Sequence, residues 1–139
     1  MTRTWIPLGW TPLGLGLLVV AFGVGSGPAP ARAAGDAAAG KIVFEQNCAS
    51  CHGTSGHGDG PAAAAAVAMG TPPRDFTKGE FKFDTDKDGK TGTDADLANV
   101  IKGGGAAQGG SPLMAPWGGV LTEQQIQDVI AYIRTFHKQ

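Results

Sequence analysis

Cys48-Ala49-Ser50-Cys51-His52 is the stretch on which the reading of this chain turns. Its pattern, C-x-x-C-H, is the attachment signature of a c-type haem. Two thiols three positions apart add across the two vinyl groups of one porphyrin and become thioethers. The histidine that follows supplies a nitrogen ligand to the iron. Other uses of paired cysteines fit less well. A zinc site calls for a second pair of ligands, and outside the motif the only histidines are His57 and His137. A redox dithiol of the thioredoxin kind calls for a βαβ context, and no strand pattern is visible.

The composition around the motif agrees with a bound prosthetic group. A chain of 139 residues makes one small domain plus a leader. Aromatic residues are only 7% and glycines number 23, which is thin material for a core made of protein alone. A haem would supply the missing apolar bulk. Both cysteines lie in the motif, so no structural disulfide is available. A formal net charge of -1 argues against a nucleic-acid binder.

Residues 1–34 read as a secretory signal. Arg3 is the lone charge of the n-region, Leu13 to Val24 is the apolar stretch, and Ala31-Arg32-Ala33 is an A-x-A site with cleavage after Ala33 or Ala34. A second reading is an uncleaved membrane anchor, because Thr4 to Ala31 carries no charge. Pro7, Pro12 and the many glycines weaken such a helix, and cleavage is the preferred reading. Either way residues 35–139 form an exported, periplasmic domain, membrane-anchored if the leader stays. Without Arg3 and Arg32, nine basic residues face twelve acidic ones, a formal charge of -3.

Within that domain the pattern is helical throughout. Asp36 is an N-cap for a helix over Ala37 to Asn47. Pro61 opens an alanine-rich helix to about Met69. Arg74 to Gly92 reads as irregular, anchored by Phe76, Phe81 and Phe83. Thr93-Asp94-Ala95-Asp96 is a capping box with Asp in place of Glu, and Leu97, Val100 and Ile101 form the inward face of the helix it opens. Gly103-Gly104-Gly105 stops that helix. Ala106 to Val120 is a long loop rich in Gly and Pro, of the kind that usually carries function. Thr122 caps the last helix with Gln125 as its partner, and Ile126, Val129, Ile130 and Ile133 give amphipathic spacing. The fold class is all-α.

Gly40 and Phe44, the CASCH motif, Leu113-Met114-Ala115-Pro116-Trp117 and the ending Val129-Ile130-Ala131-Tyr132-Ile133 together carry a resemblance. From about Gly40 to Phe136 the chain resembles a class I mono-haem cytochrome c of the bacterial periplasmic type. The resemblance implies the cytochrome c fold, with the first and last helices crossing at Gly40 and Phe44 against Val129 and Tyr132, and short helices and loops enclosing one covalent haem c. It implies an electron carrier without catalytic residues, with no small-molecule substrate at iron. Its partners would be redox proteins, such as a membrane or periplasmic oxidoreductase.

An electron carrier holds its iron on both faces. His52 is one ligand, and Met69, Met114, His57 and His137 are the candidates for the other. Thioether sulfur favours ferrous iron and raises the potential. Met114 leads, because it sits in the loop before the last helix where the family places its ligand. The resemblance also names Pro61 as the carbonyl acceptor for the second ring nitrogen of His52. Arg74 or Trp117 would hydrogen-bond a haem propionate, the alternatives being surface charge and core packing.

Two further function classes stay open. One is a cytochrome c subunit of a larger respiratory or sulfur- or nitrogen-oxidoreductase complex. The other is a haem-based gas or calcium sensor. Asp84-Thr85-Asp86-Lys87-Asp88-Gly89 matches the first half of an EF-hand loop, but position twelve is Ala95 where a bidentate carboxylate is needed. A solvated acidic turn is expected there and calcium is not.

Overall fold

The computed structural model describes Met1 and residues 34–137. The leader, with its choice between cleaved signal and anchor, lies outside the described residues. Contacts along the chain separate Met1–Pro30 from Ala31–Gln139, and the described fold is that of the second unit.

Among the described residues five α-helices follow one another: α1 (Ala37–Asn47), α2 (Ala49–His52), α3 (Ala63–Ala68), α4 (Asp94–Gly103) and α5 (Glu123–Phe136). Two 3₁₀ turns, Phe76–Lys78 and Ala106–Gln108, interrupt the long connections. Among the described residues all regular structure is helical, as an all-α chain requires.

Packing of α1 on α5 is the centre of the fold. Asp36 caps α1 by accepting the N–H groups of Ala38 and Ala39, and its own N–H donates to Asp128 of α5 at 2.8 Å. Gly40 is glycine because of where α5 runs: a Cβ there would overlap the carbonyl of Asp128. The close approach brings Phe44 against the rings of Tyr132 and Phe136, at centroid distances of 5.4 and 5.3 Å. Phe44, Ile126 and Val129 are 0% exposed, and Ile130 and Ile133 are buried beside them. The expected inward stripe of α5 is therefore the buried one.

The capping boxes of α4 and α5 both form. Thr93 and Asp96 exchange hydrogen bonds across the first turn of α4, and Thr122 and Gln125 do so in α5. The attachment motif is itself a helical turn. Two details differ from expectation. The alanine-rich helix starts at Ala63 and not at Pro61, because Ala62 N–H turns back to Ser50 and Ala63 N–H to Gly60. Of the inward residues of α4, Leu97 and Ile101 are buried, whereas Val100 is only half-buried, as are Phe81 and Phe83. All three of those half-buried side chains line one large cavity.

Candidate functional site

Helix α2 places the two thiols. Cys51 and His52 N–H groups both donate to the Cys48 carbonyl, at 3.2 and 2.9 Å, so residues 48 to 52 wind as one turn. Residues three apart on such a turn share a face. Burial, and after it the Cys51 thiol, pushes the Cys48 thiol up to about 11. Both cysteines are free thiols in the protein alone.

His52 is positioned from two sides. Its ring stacks on Phe76, with centroids 4.6 Å apart and planes 17° from parallel. Its Nδ1 lies 3.3 Å from the carbonyl of Arg74. The acceptor is thus Arg74 and not Pro61, whose own side chain is exposed and outside the cavity lining. The reason is a backbone bond that no side chain announces: Phe76 N–H donates to Gly56 at 2.7 Å and pins residues 74–76 beside the ring. Burial pushes the His52 pKa down, against the raising effect of the Arg74 carbonyl. The ring is therefore favoured in the neutral form that binds metal.

Met114 is held by the end of α4. Gly105 N–H donates to the Met114 carbonyl at 2.9 Å, and Trp117 N–H donates to Ile101 at 3.0 Å. Gly104 has φ 76°, and a Cβ there would stand 2.7 Å from the Met114 carbonyl. Sequence reasoning took the three glycines as a helix stop and Ala106 to Val120 as a long loop rich in Gly and Pro. Gly104 and Gly105 also form the seat of the Met114 backbone. The run of three glycines was the available signal, since a stop needs only one.

These residues meet around one cavity of about 720 Å³. Cys48, Cys51, His52, Arg74, Met114 and Trp117 all line it. The volume is in the range of cofactor sites, and most of the remaining lining is apolar, with Phe76, Leu97 and Ile101 among it. Two thiols on one turn, a neutral imidazole, a thioether and an apolar enclosure fit a haem c. Arg74 has no ion-pair partner among the described residues. The other candidate ligands lie elsewhere: Met69 is exposed on the surface, His57 is exposed 3.7 Å from Asp75, and His137 bonds the Thr77 carbonyl at 3.0 Å.

Sequence reasoning missed the cavity role of Lys78, Glu80 and Lys82, which line it from the irregular segment. Asp84, Asp86 and Asp88 bring one oxygen each to within 4.8 Å of one another on the surface. They also accept the N–H groups of Asp88, Gly89 and Lys90, as a solvated acidic turn does.

Among known proteins, residues 37–137 match the family model described as Cytochrome c. The chain is 35% identical over 102 residues to cytochrome c-554(547) of Halothiobacillus neapolitanus, covering 73% of this chain and 98% of that one. It is 32% identical over 104 residues to cytochrome c6 of Rippkaea orientalis, covering 75% and 74%. Among solved structures, a chain of the reducing HAO-like protein complex of Kuenenia stuttgartiensis matches with TM-score 0.58 and 35% identity, over 71% of this chain. This chain spans 41% of the length of that one.

Proposed function

The chain belongs to the cytochrome c family, and on that premise we propose that His52 and Met114, which line one cavity, would be the residues that hold the iron of its haem. It has the all-α cytochrome c fold, carries covalently bound haem c, and is an electron carrier and not an enzyme. When bound, the haem supplies an iron that takes up and gives back one electron. The residues of the chain do the rest. Cys48 and Cys51 would anchor the porphyrin, Phe76 and the Arg74 carbonyl orient the His52 ring, and the Gly104–Gly105 seat would present Met114. Arg74, with Trp117, is proposed to meet the propionates. The observation that carries this reading is one cavity lined by both thiols, the neutral imidazole and the thioether.

Its partners are redox proteins; an exported or membrane oxidoreductase is the proposed kind, with the carrier itself in the periplasm behind a leader over residues 1–34. The test is intact mass and visible spectroscopy of the secreted protein. One haem should remain after acid-acetone extraction, the chain should begin after Ala33 or Ala34, and the ferric form should show the weak far-red band of methionine sulfur on iron. Haem lost to the solvent would end the attachment reading, and absence of the band would end the Met114 assignment.

A further inference from the structure

Among the described residues, six charged side chains line the cavity: Arg74, Asp75, Lys78, Glu80, Lys82 and Asp96. The first five belong to one irregular segment and are half-buried or exposed, so water and salt screen their fields. Asp96 is different. It lies in the first turn of α4 and is 1% exposed. It is the one charge of the lining that solvent does not reach.

Four hydrogen bonds keep it ionised. The N–H and hydroxyl of Thr85 donate to its Oδ1, and the N–H and hydroxyl of Thr93 donate to its Oδ2. Burial works against the charge, and these donors outweigh it. All four are neutral groups, and among the described residues no Lys, Arg or His pairs with the carboxylate. Neutral donors stabilise a charge without cancelling it, so a net negative charge stands in a wall of low dielectric. Capping α4 does not require that charge. Thr122 and Gln125 build the same box on α5 with a neutral amide. Burying an acid where an amide would serve is costly, and the cavity is what its charge faces.

We propose that Asp96 is a fixed buried charge that lowers the reduction potential of the bound haem. The proposal rests on the haem seating given above. Ferric haem carries one more positive charge than ferrous haem, so a negative charge in the wall stabilises the ferric form more. Taking up an electron becomes less favourable, and the potential falls. The effect opposes the rise that a thioether ligand gives. One charge acting at an effective dielectric of about 20 should change the ferric-to-ferrous equilibrium about tenfold, which is about 59 mV for one electron.

The experiment is a redox titration of the holoprotein, followed by its visible spectrum, for Asp96→Gln, Asp96→Glu and Asp96→Asn. Gln and Glu add the same methylene and differ only in charge, so effects of size cancel between them. The Gln variant should have the higher potential of the pair, by about a tenfold change in the equilibrium. The Asn variant should lie above the wild type. Both differences should persist at salt high enough to screen surface charge. Asp86→Asn, which removes an exposed charge from the loop beside Thr85, should shift the equilibrium by less than about twofold. Melting both oxidation states gives a second reading. Relative to Glu, Gln should lower the melting temperature of the ferric protein more than that of the ferrous, because the coupling between charge and iron is reciprocal. A purely structural role has the opposite sign. A loosened wall admits water, which favours the more highly charged ferric form and lowers the potential. Equal potentials for Gln and Glu, a lower potential for Asn, or an equal shift from Asp86→Asn overturns the proposal. Either comparison decides if a variant of the other fails to fold. Any of these failures with haem mass and far-red band intact counts against the role of Asp96 alone, not against the haem seating.

Discussion

The crossing of α1 and α5 and the wall of the cavity are built on opposite plans. At the crossing, protein closes on protein: Phe44, Ile126 and Val129 are 0% exposed and Gly40 lets the two backbones touch. Across the domain, Phe81, Phe83, Val100, Met114 and Trp117 are half-buried and face a shared cavity. The first region owes its order to side-chain packing. The second lines a cavity of about 720 Å³ with apolar surface that the haem would cover, and its backbone is tied by scattered loop hydrogen bonds. The same chain thus holds one core that is complete by itself and one that is completed by its cofactor.

That contrast has measurable consequences, the largest on removal of the haem. Replacing Cys48 and Cys51 together by Ala should leave the cavity side unable to close, and with it most of the domain, because so small a core has little stability in reserve. Circular dichroism at 222 nm should fall to a minor part of the holo value. A cooperative, fully helical apo protein would mean that the two regions do not differ in this way. Next in size is Gly40→Val. It should leave the far-red band in place yet cost about 3 kcal/mol in a thermal melt of the holoprotein, because the Asp128 backbone has nowhere to go. An unchanged melt would show that the crossing is looser than its geometry.

Met114→His reverses the pattern. It should lower the reduction potential and abolish the far-red band, since axial identity helps spread haem potentials over about 0.8 V. Its effect on the melt should be smaller than that of Gly40→Val. Met114→Ala should admit carbon monoxide to the ferrous iron, and Met69→Ala should do none of these things.

Asp96 is a buried carboxylate in the wall of the cavity. Burial opposes its ionisation, but hydrogen bonds donated by Thr85 and Thr93 outweigh burial and hold its carboxyl well below the usual carboxylate range. Its contribution is therefore fully present above the ordinary aspartate pKa of about 3.9 and is lost as pH falls through the lowered native value. Asp96→Asn should cost about 2 kcal/mol at pH 7. The gap between the two proteins should narrow as the pH falls below about 4. A gap that stays constant to pH 2 would show that the charge is immaterial. The smallest effect is expected from calcium at Asp84, Asp86 and Asp88. Calorimetry should find no micromolar binding; such binding, abolished by Asp86→Ala, would make the loop a site.

Much of this was legible in the sequence because it is local. The haem signature is five consecutive residues whose chemistry is covalent. The N-cap Asp36 and the boxes Thr93–Asp96 and Thr122–Gln125 work within one turn. The apolar spacing of Ile126, Val129, Ile130 and Ile133 follows from helix geometry alone. What tertiary structure alone decided is carried by backbone groups, which every residue has and which leave no mark on composition. The Arg74 carbonyl, not that of Pro61, meets His52 because Phe76 is tied to Gly56. Met114 is seated on Gly105 N–H and beneath Gly104, in a loop whose glycines read simply as a stop. Asp128, an ordinary acidic residue on a helix, became a buried acceptor for Asp36 N–H only because α1 begins there. Residue types determine which chemistry is possible and which face of a helix is apolar; the path of the chain determines which carbonyl or amide arrives, and that is known only when distant segments have packed.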